Sequence, residues 1–279
     1  MYEPVSFAAP LVDPPPDIRL IAADLDGTLL DAAKELDDDF WPMVHELTRR
    51  GILFVPASGR QYQSLALTFA DIADEAAFIA ENGTYVVLRG REVFSDGIPA
   101  DAAREIIRAD RRIPGSLPVL CGKRSAYIED TRPDFFEEVQ PYYASLEVVP
   151  DLTVVADDDF LKIALYDFVS AEDNTYPAIA GVAQGLKVTV SGAHWVDVTS
   201  ATASKGEALA HLQQVLGITP DQTMAFGDYL NDCEMMAAAT WSFAVANAHP
   251  RLLACASRVC PPNTENGVVR TVKSILGME

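Results

Sequence analysis

Cationic residues are scarce in this chain. Across 279 residues, 21 Lys and Arg face 41 Asp and Glu, for a formal charge of −20. A chain of that sign repels polyanions, so nucleic acid and anionic membrane are excluded as main partners. A phosphate ligand must then be met by a local cation or by backbone donors. Cysteine is also sparse: Cys121, Cys233, Cys255 and Cys260 form no C-x-x-C pair and have no His-rich neighbourhood. Neither a zinc site nor a disulfide framework is expected, and the four read as buried thiols in a reducing compartment. No apolar run approaches the roughly 18 residues of a membrane span, and the N-terminal stretch lacks the basic start and apolar core of a leader. The expected location is the cytoplasm. Three signatures are missing as well: the G-x-x-x-x-G-K-[ST] phosphate loop, a G-x-G-x-x-G after the first strand, and a G-x-S-x-G elbow. Nucleotide triphosphatases, dinucleotide enzymes and the usual serine hydrolases go with them.

What is present is an ordinary globular composition, 49% hydrophobic and 22% charged, in a chain long enough for two domains. Residues 1–17, with prolines at 4, 10, 14, 15 and 16, read as a loose arm. "IRLIAAD" then reads as a buried parallel strand ending at Asp24, "DDDFWPMVHELTRRG" as a helix, and "ILFVPASGR" and "AAFIAENG" as further strands that break into polar residues. From about Val86 the rhythm changes. Hairpins are expected about Arg89-Gly90 and Ser191-Gly192, strands at "SAYIED" and "FLKIALYDF", and helices near 100–111, 133–145 and 172–184.

After Ser200 the first rhythm returns. Ser204 and Glu207 stand at capping-box spacing before a helix closed by Gly217, "TMAFGD" is a strand ending at Asp228, "SFAVANA" is another, and "GVVRTVKSIL" is a last helix. The expected class is α/β: a parallel sheet with helices on both faces over 18–85 and 190–279, and an inserted α+β domain over 86–189.

Polar clusters fall at the strand ends, where open parallel sheets bind ligands. Asp24 with Asp26, Ser58, Lys205, and Asp228 with Asp232 supply carboxylates for a hard divalent cation such as Mg2+. They also supply a hydroxyl and an ammonium for phosphoryl oxygens. A carboxylate can attack phosphorus directly, and a second one two residues on can move the proton. The bland reading of D-x-D-G-T as an Asx-turn and helix cap loses to the four clusters taken in order. Asp157, Asp158 and Asp159 read as a solvated loop, His45, His194, His211 and His249 as structural or surface residues, and Trp195 as packing. Lys123, Arg124 and Lys162 are cations of the insert that could steer an anionic substrate, a reading outweighed by the many acidic residues available to each as partners.

"DLDGTLLD", "SGR", "SKGEAL" and "GDYLNDCEM", in that order, resemble the four motifs of the haloacid dehalogenase superfamily. "FIAENGT", "WVDVTSATASKGEAL" and "SFAVANA" are similar to its Cof-type phosphatases, and the resemblance runs from Ile18 to Leu276. It implies a Rossmannoid core with an inserted cap that closes over the substrate. It also implies Asp24 as nucleophile and metal ligand, Asp26 as acid/base and a carbonyl ligand, and Asp228 and Asp232 as further magnesium ligands. Lys205 joins the catalytic set. Leu25, Gly27, Ser58, Gly59 and Asn231 would hold the phosphoryl group, and Arg60, Glu81, Asn82 and Gly83 would face the substrate. One departure is visible. "AVANA" lacks the Met-Gly often found before the Asn247-Ala248 position, which leaves the role of Asn247 open.

The resulting expectation is a Mg2+-dependent phosphatase, monomer or homodimer, acting on a small phosphorylated metabolite, with sugar phosphates first. A phosphomutase of the same superfamily and a non-catalytic metabolite-binding protein are the alternatives. The intact catalytic positions speak against the latter.

Overall fold

The computed structural model describes residues 15–278, so the N-terminal arm expected at 1–17 lies mostly outside the described residues. The described chain forms an α/β core built on a parallel sheet, together with an inserted α+β cap-like subdomain. Two compact units result. One comprises the described residues up to Ser58, Asp71–Phe94 and the chain from Ser204; the other comprises Gly59–Ala70 and Ser95–Ala203.

The core begins with β1 (Leu20–Ala23), buried on both faces as the uninterrupted apolar run requires. α1 (Phe40–Arg49) buries Phe40, Met43, Val44 and Leu47, a helical i, i+3, i+4, i+7 stripe. It leads into β2 (Leu53–Pro56). α2 (Tyr62–Thr68) belongs to the second unit, where Gln61 and Ser64 at its start hydrogen-bond Ser145 and Tyr142. β3 (Ala77–Ala80) and β4 (Tyr85–Leu88) pair antiparallel, and β5 (Arg91–Ser95) completes a three-stranded sheet.

The second unit holds α3 (Ala100–Asp110), β6 (Ser116–Gly122), β7 (Ala126–Ile128), α4 (Pro133–Val139), β8 (Leu146–Val148) and β9 (Phe160–Asp167), followed by α5 (Tyr176–Ala180), β10 (Leu186–Gly192) and β11 (Trp195–Ser200). Its six-stranded sheet runs β10-β11-β9-β6-β7-β8. β9 is buried along its whole length, and its alternate residues go to opposite faces. Ile163 and Leu165 join Ile106 and Ile107 of α3 on one side, and Ala164 and Tyr166 join Phe135 and Val139 of α4 on the other.

The chain returns to the core through α6 (Lys205–Leu216), β12 (Thr223–Gly227), α7 (Cys233–Ala237), β13 (Trp241–Val245), α8 (Pro250–Cys255), β14 (Arg258–Cys260) and α9 (Gly267–Leu276). The parallel sheet has the order β14-β13-β12-β1-β2. From β1 the chain adds β2 on one side, and from β12 it adds β13 and β14 on the other, so the order reverses between β1 and β12. Ala23 is in register with Phe226 of β12 and with Pro56 of β2. Asp24, Asp228 and Ser58 therefore leave the sheet at one edge, beside the switch point where open α/β sheets take ligands.

Several expectations need correction. The β10–β11 turn lies at Ala193-His194, two residues beyond Ser191-Gly192, because Gly192 already pairs with Trp195. The helix expected over 133–145 stops at Val139 and passes through a tight turn at Gln140–Tyr142, which contains Pro141. Cys121 and Cys260 are buried, but Cys233 is partly exposed and Cys255 exposed. β6, β8 and β14 were not read from sequence. β6 carries Pro118 within it, and β8 and β14 have three residues each, too few to show a period.

Candidate active site

Lys205 is the hinge of the site. It is the first residue of α6, whose N-cap Ser204 accepts a hydrogen bond from the Glu207 amide at 3.1 Å. The capping spacing thus places the ammonium at a helix start. The side chain is 1% exposed, and its Nζ lies 2.5 Å from Asp24 Oδ1 and 2.7 Å from Asp232 Oδ1. The other oxygen of Asp232 accepts the backbone amides of Asp228 and Tyr229 at 3.1 and 3.3 Å. Asp232 therefore anchors Lys205 and shapes the loop that carries Asp228. Thr28 donates its hydroxyl to Asp228 Oδ1 at 3.4 Å. The sequence reading gave Thr28 no role, although its place beside Gly27 in the D-x-D-G-T run was the available signal.

Oxygens of Asp24, Asp228 and Asp232 lie within 4.8 Å of one another. Three carboxylates and one ammonium carry a formal −2, which a divalent cation balances. Oxygen donors of this kind suit Mg2+, so the residues present fit the ion. The electrostatics agree. Burial pushes the Asp24 carboxyl up to about 7 against the pull of Lys205, with Asp232 and Asp228 adding to the rise. Asp228 goes up to about 6 through burial and then the charge of Asp232. Burial opposes the Lys205 ammonium, but Asp232 and Asp24 outweigh it and hold it above its ordinary value.

The loop after β1 is tight. Amides of Thr28, Leu29 and Leu30 all return to the Leu25 carbonyl at 2.9–3.2 Å. Gly27 has φ +85°, and a Cβ there would run into the Asp228 carboxylate. Both the turn and the close approach require glycine. Asp26 stands exposed at this turn, so its side chain is outside the buried group of Asp24, Asp228 and Asp232.

Ser58 is buried, its amide donating to Ile79 O at 2.9 Å and its carbonyl accepting from Asn82 N at 3.0 Å. This ties the end of β2 to the loop after β3. In that loop Glu81 and Asn82 have positive φ ahead of Gly83, a conformation uncommon for L-residues and of the sort found at functional sites. A Cβ on Gly83 would collide with the backbone at Ser204 and Lys205, so the loop reaches the start of α6. Asn231 donates to Asn82 Oδ1 at 3.1 Å. The core unit thus brings Asp24, Ser58, Glu81, Asn82, Gly83, Lys205, Asp228, Asn231 and Asp232 to one set of loops.

Gly59 and Arg60 fall in the other unit. There the Gly59 carbonyl accepts from the buried ammonium of Lys162 at 3.2 Å, and Lys123 pairs with Asp159 at 3.1 Å. Asp158 accepts the Tyr127 hydroxyl and the Arg124 amide. His211 stacks on Phe94, His194 bonds the Asp167 carbonyl, and Trp195 packs on Tyr142 and Tyr166. His211, His194 and Trp195 thus have the structural roles that the sequence indicated, whereas Asp158, expected in a solvated loop, is half-buried and tied to Tyr127 and Arg124. Among the described residues no helix is long and apolar enough to cross a membrane.

The family model for haloacid dehalogenase-like hydrolases matches residues 21–272. The chain is 33% identical to the 5-amino-6-(5-phospho-D-ribitylamino)uracil phosphatase of Escherichia coli over 94% of its length and 97% of the relative's. It is 29% identical to the HMP-PP phosphatase of Cronobacter sakazakii over 85% of its length and 87% of that protein. A crystal structure from Eubacterium rectale superposes with a TM-score of 0.84 at 30% identity, covering 93% of this chain and 99% of that one.

Proposed function

Because the chain belongs to the haloacid dehalogenase-like hydrolases, within their Cof-like phosphatases, we propose that it hydrolyses phosphomonoesters of small soluble metabolites, with sugar and sugar-alcohol phosphates foremost. The ribityl phosphate named for the Escherichia coli relative supports that substrate class. The observation that carries the chemistry is the buried ammonium of Lys205 joining Asp24 to Asp232 beside Asp228.

In this reading a carboxylate oxygen of Asp24 attacks phosphorus and the P–O bond to the leaving alcohol breaks, giving an aspartyl phosphate. Asp26, exposed at the turn, donates the proton to the departing oxygen. It then takes one from the water that attacks phosphorus, so inorganic phosphate leaves and Asp24 is restored. Lys205, Ser58, Asn231 and the amides about Leu25, Gly27 and Gly59 hold the phosphoryl oxygens. Arg60, Glu81, Asn82 and Gly83 face the substrate. Mg2+ held by Asp24, Asp228, Asp232 and the Asp26 carbonyl would neutralise charge on the transferring group.

Turnover across a panel of phosphate esters, with Mg2+ and with EDTA, tests this reading. Wild type is expected to release phosphate only with the metal. Asp24→Asn is expected to lose about three orders of magnitude or more in kcat while keeping its fold. Full turnover by a folded Asp24→Asn protein rules out the covalent route.

A further inference from the structure

Asn247, whose role the sequence left open, follows β13 at an exposed position, yet both polar atoms of its side chain are engaged. Its Nδ2 donates to the Gly27 carbonyl at 2.8 Å, and its Oδ1 accepts the Asn263 amide N–H at 3.0 Å. Asn263 in turn donates its own Nδ2 to the Leu30 carbonyl at 2.8 Å. Two side-chain amides thus grip both ends of the Gly27–Leu30 turn. The same short segment holds the opposite loop: two residues after Asn247, the His249 amide donates to the Asp228 carbonyl at 2.8 Å.

Residues 247–249 therefore bridge the turn that carries Asp26 and the loop that carries Asp228. Neither loop is regular structure, and across the gap the Thr28 hydroxyl reaches Asp228 Oδ1 only at 3.4 Å, so the ties through residues 247–249, at 2.8 Å to Gly27 and 2.8 Å to Asp228, are the shorter ones. We propose that Asn247, backed by Asn263, is a positioning residue that fixes the Asp26–Leu30 turn against the Asp228 loop and so sets the spacing of the carboxylate cluster for a divalent cation and the proton-transfer step. This rests on the phosphatase reading above. Misplacement of reacting groups by a fraction of an ångström to an ångström is costly in rate, whereas loss of an exposed hydrogen bond is cheap in stability.

The test uses the full chain and the variants Asn247→Ala, Asn247→Asp and Asn263→Ala, assayed with p-nitrophenyl phosphate. Asn247→Ala is expected to lower kcat about tenfold to a hundredfold, with KM for the ester within about twofold. The Mg2+ concentration that gives half of the metal-induced rise in Tm is expected to increase several-fold, with the metal-free Tm nearly unchanged. Asn247→Asp keeps the acceptor for Asn263 but loses the donor to Gly27, so it should fall at least as far. Asn263→Ala, which releases only the Leu30 end, should fall less. Wild-type kcat and an unchanged Mg2+ midpoint in a folded Asn247→Ala protein overturn the proposal, as does a loss confined to Tm. If Asn247→Ala does not fold, Asn263→Ala decides on the same criteria. Should wild type hydrolyse no ester, the phosphatase reading fails, and the Mg2+ thermal shift of wild type against variants still tests the brace.

Discussion

At the scale of single residues, Lys205 carries the most consequence. Its ammonium is buried between Asp24 and Asp232, so its removal leaves two carboxylates facing each other in the interior without a counter-charge. Breaking a buried pair from one side costs about 3–5 kcal/mol, because the remaining charge is stranded. Lys205→Ala should lose that much in urea unfolding at an unchanged m-value, along with turnover. A stability loss below about 1 kcal/mol would mean that Asp24 and Asp232 are balanced by something other than Lys205. Asn247 makes the contrasting case, with expected effects large in rate and small in stability.

At the scale of elements, α3 ends on an acid in an unfavourable place. Asp110 is fully buried, and Ser116 donates to its Oδ1. Its Oδ2 has no hydrogen-bond partner among the described residues. A carboxylate at a helix C-terminus also opposes the helix dipole. Burial pushes the carboxyl up to about 7, with Ser116 opposing and Asp167 and Glu129 adding to the rise. The folded state then holds this proton more tightly than the unfolded chain. The associated stability is present below about pH 4 and is lost as the pH climbs to about 7. Asp110→Asn should remove that slope and gain on the order of 2–4 kcal/mol over wild type at pH 8. Denaturant unfolding of both proteins at pH 5 and pH 8 checks it: the gap between them should widen with pH. A constant gap would place the pH response elsewhere, in the catalytic carboxylates for example.

At the scale of the whole molecule, the formal charge of −20 sets a long-range field that disfavours an anionic substrate, while the compensating cation is local to the site. Added salt screens the long-range repulsion more than the buried contacts. With Mg2+ saturating, kcat/KM for a phosphate ester should therefore rise by about twofold or more as ionic strength goes from 10 to 150 mM. A steady fall over that range would show that the site's own positive field governs capture.

By itself the sequence determined which groups are present and how short segments turn. A strand that ends in D-x-D-G-T, a Ser204 cap that starts α6 on Lys205, and the loop after β12 that offers Asp228 and Asp232 are all local patterns, legible because neighbours along the chain dictate them. The tertiary structure decided what lies next to what. Asp24 and Lys205 are 181 positions apart, and Asn247 and Gly27 are 220 apart. Their meeting depends on the register of β1 with β12 and on the strand order, which no local pattern encodes. Burial likewise separates Asp24 from Asp26 though only one residue divides them, because alternation along an extended chain ends at the tight turn that Gly27 makes.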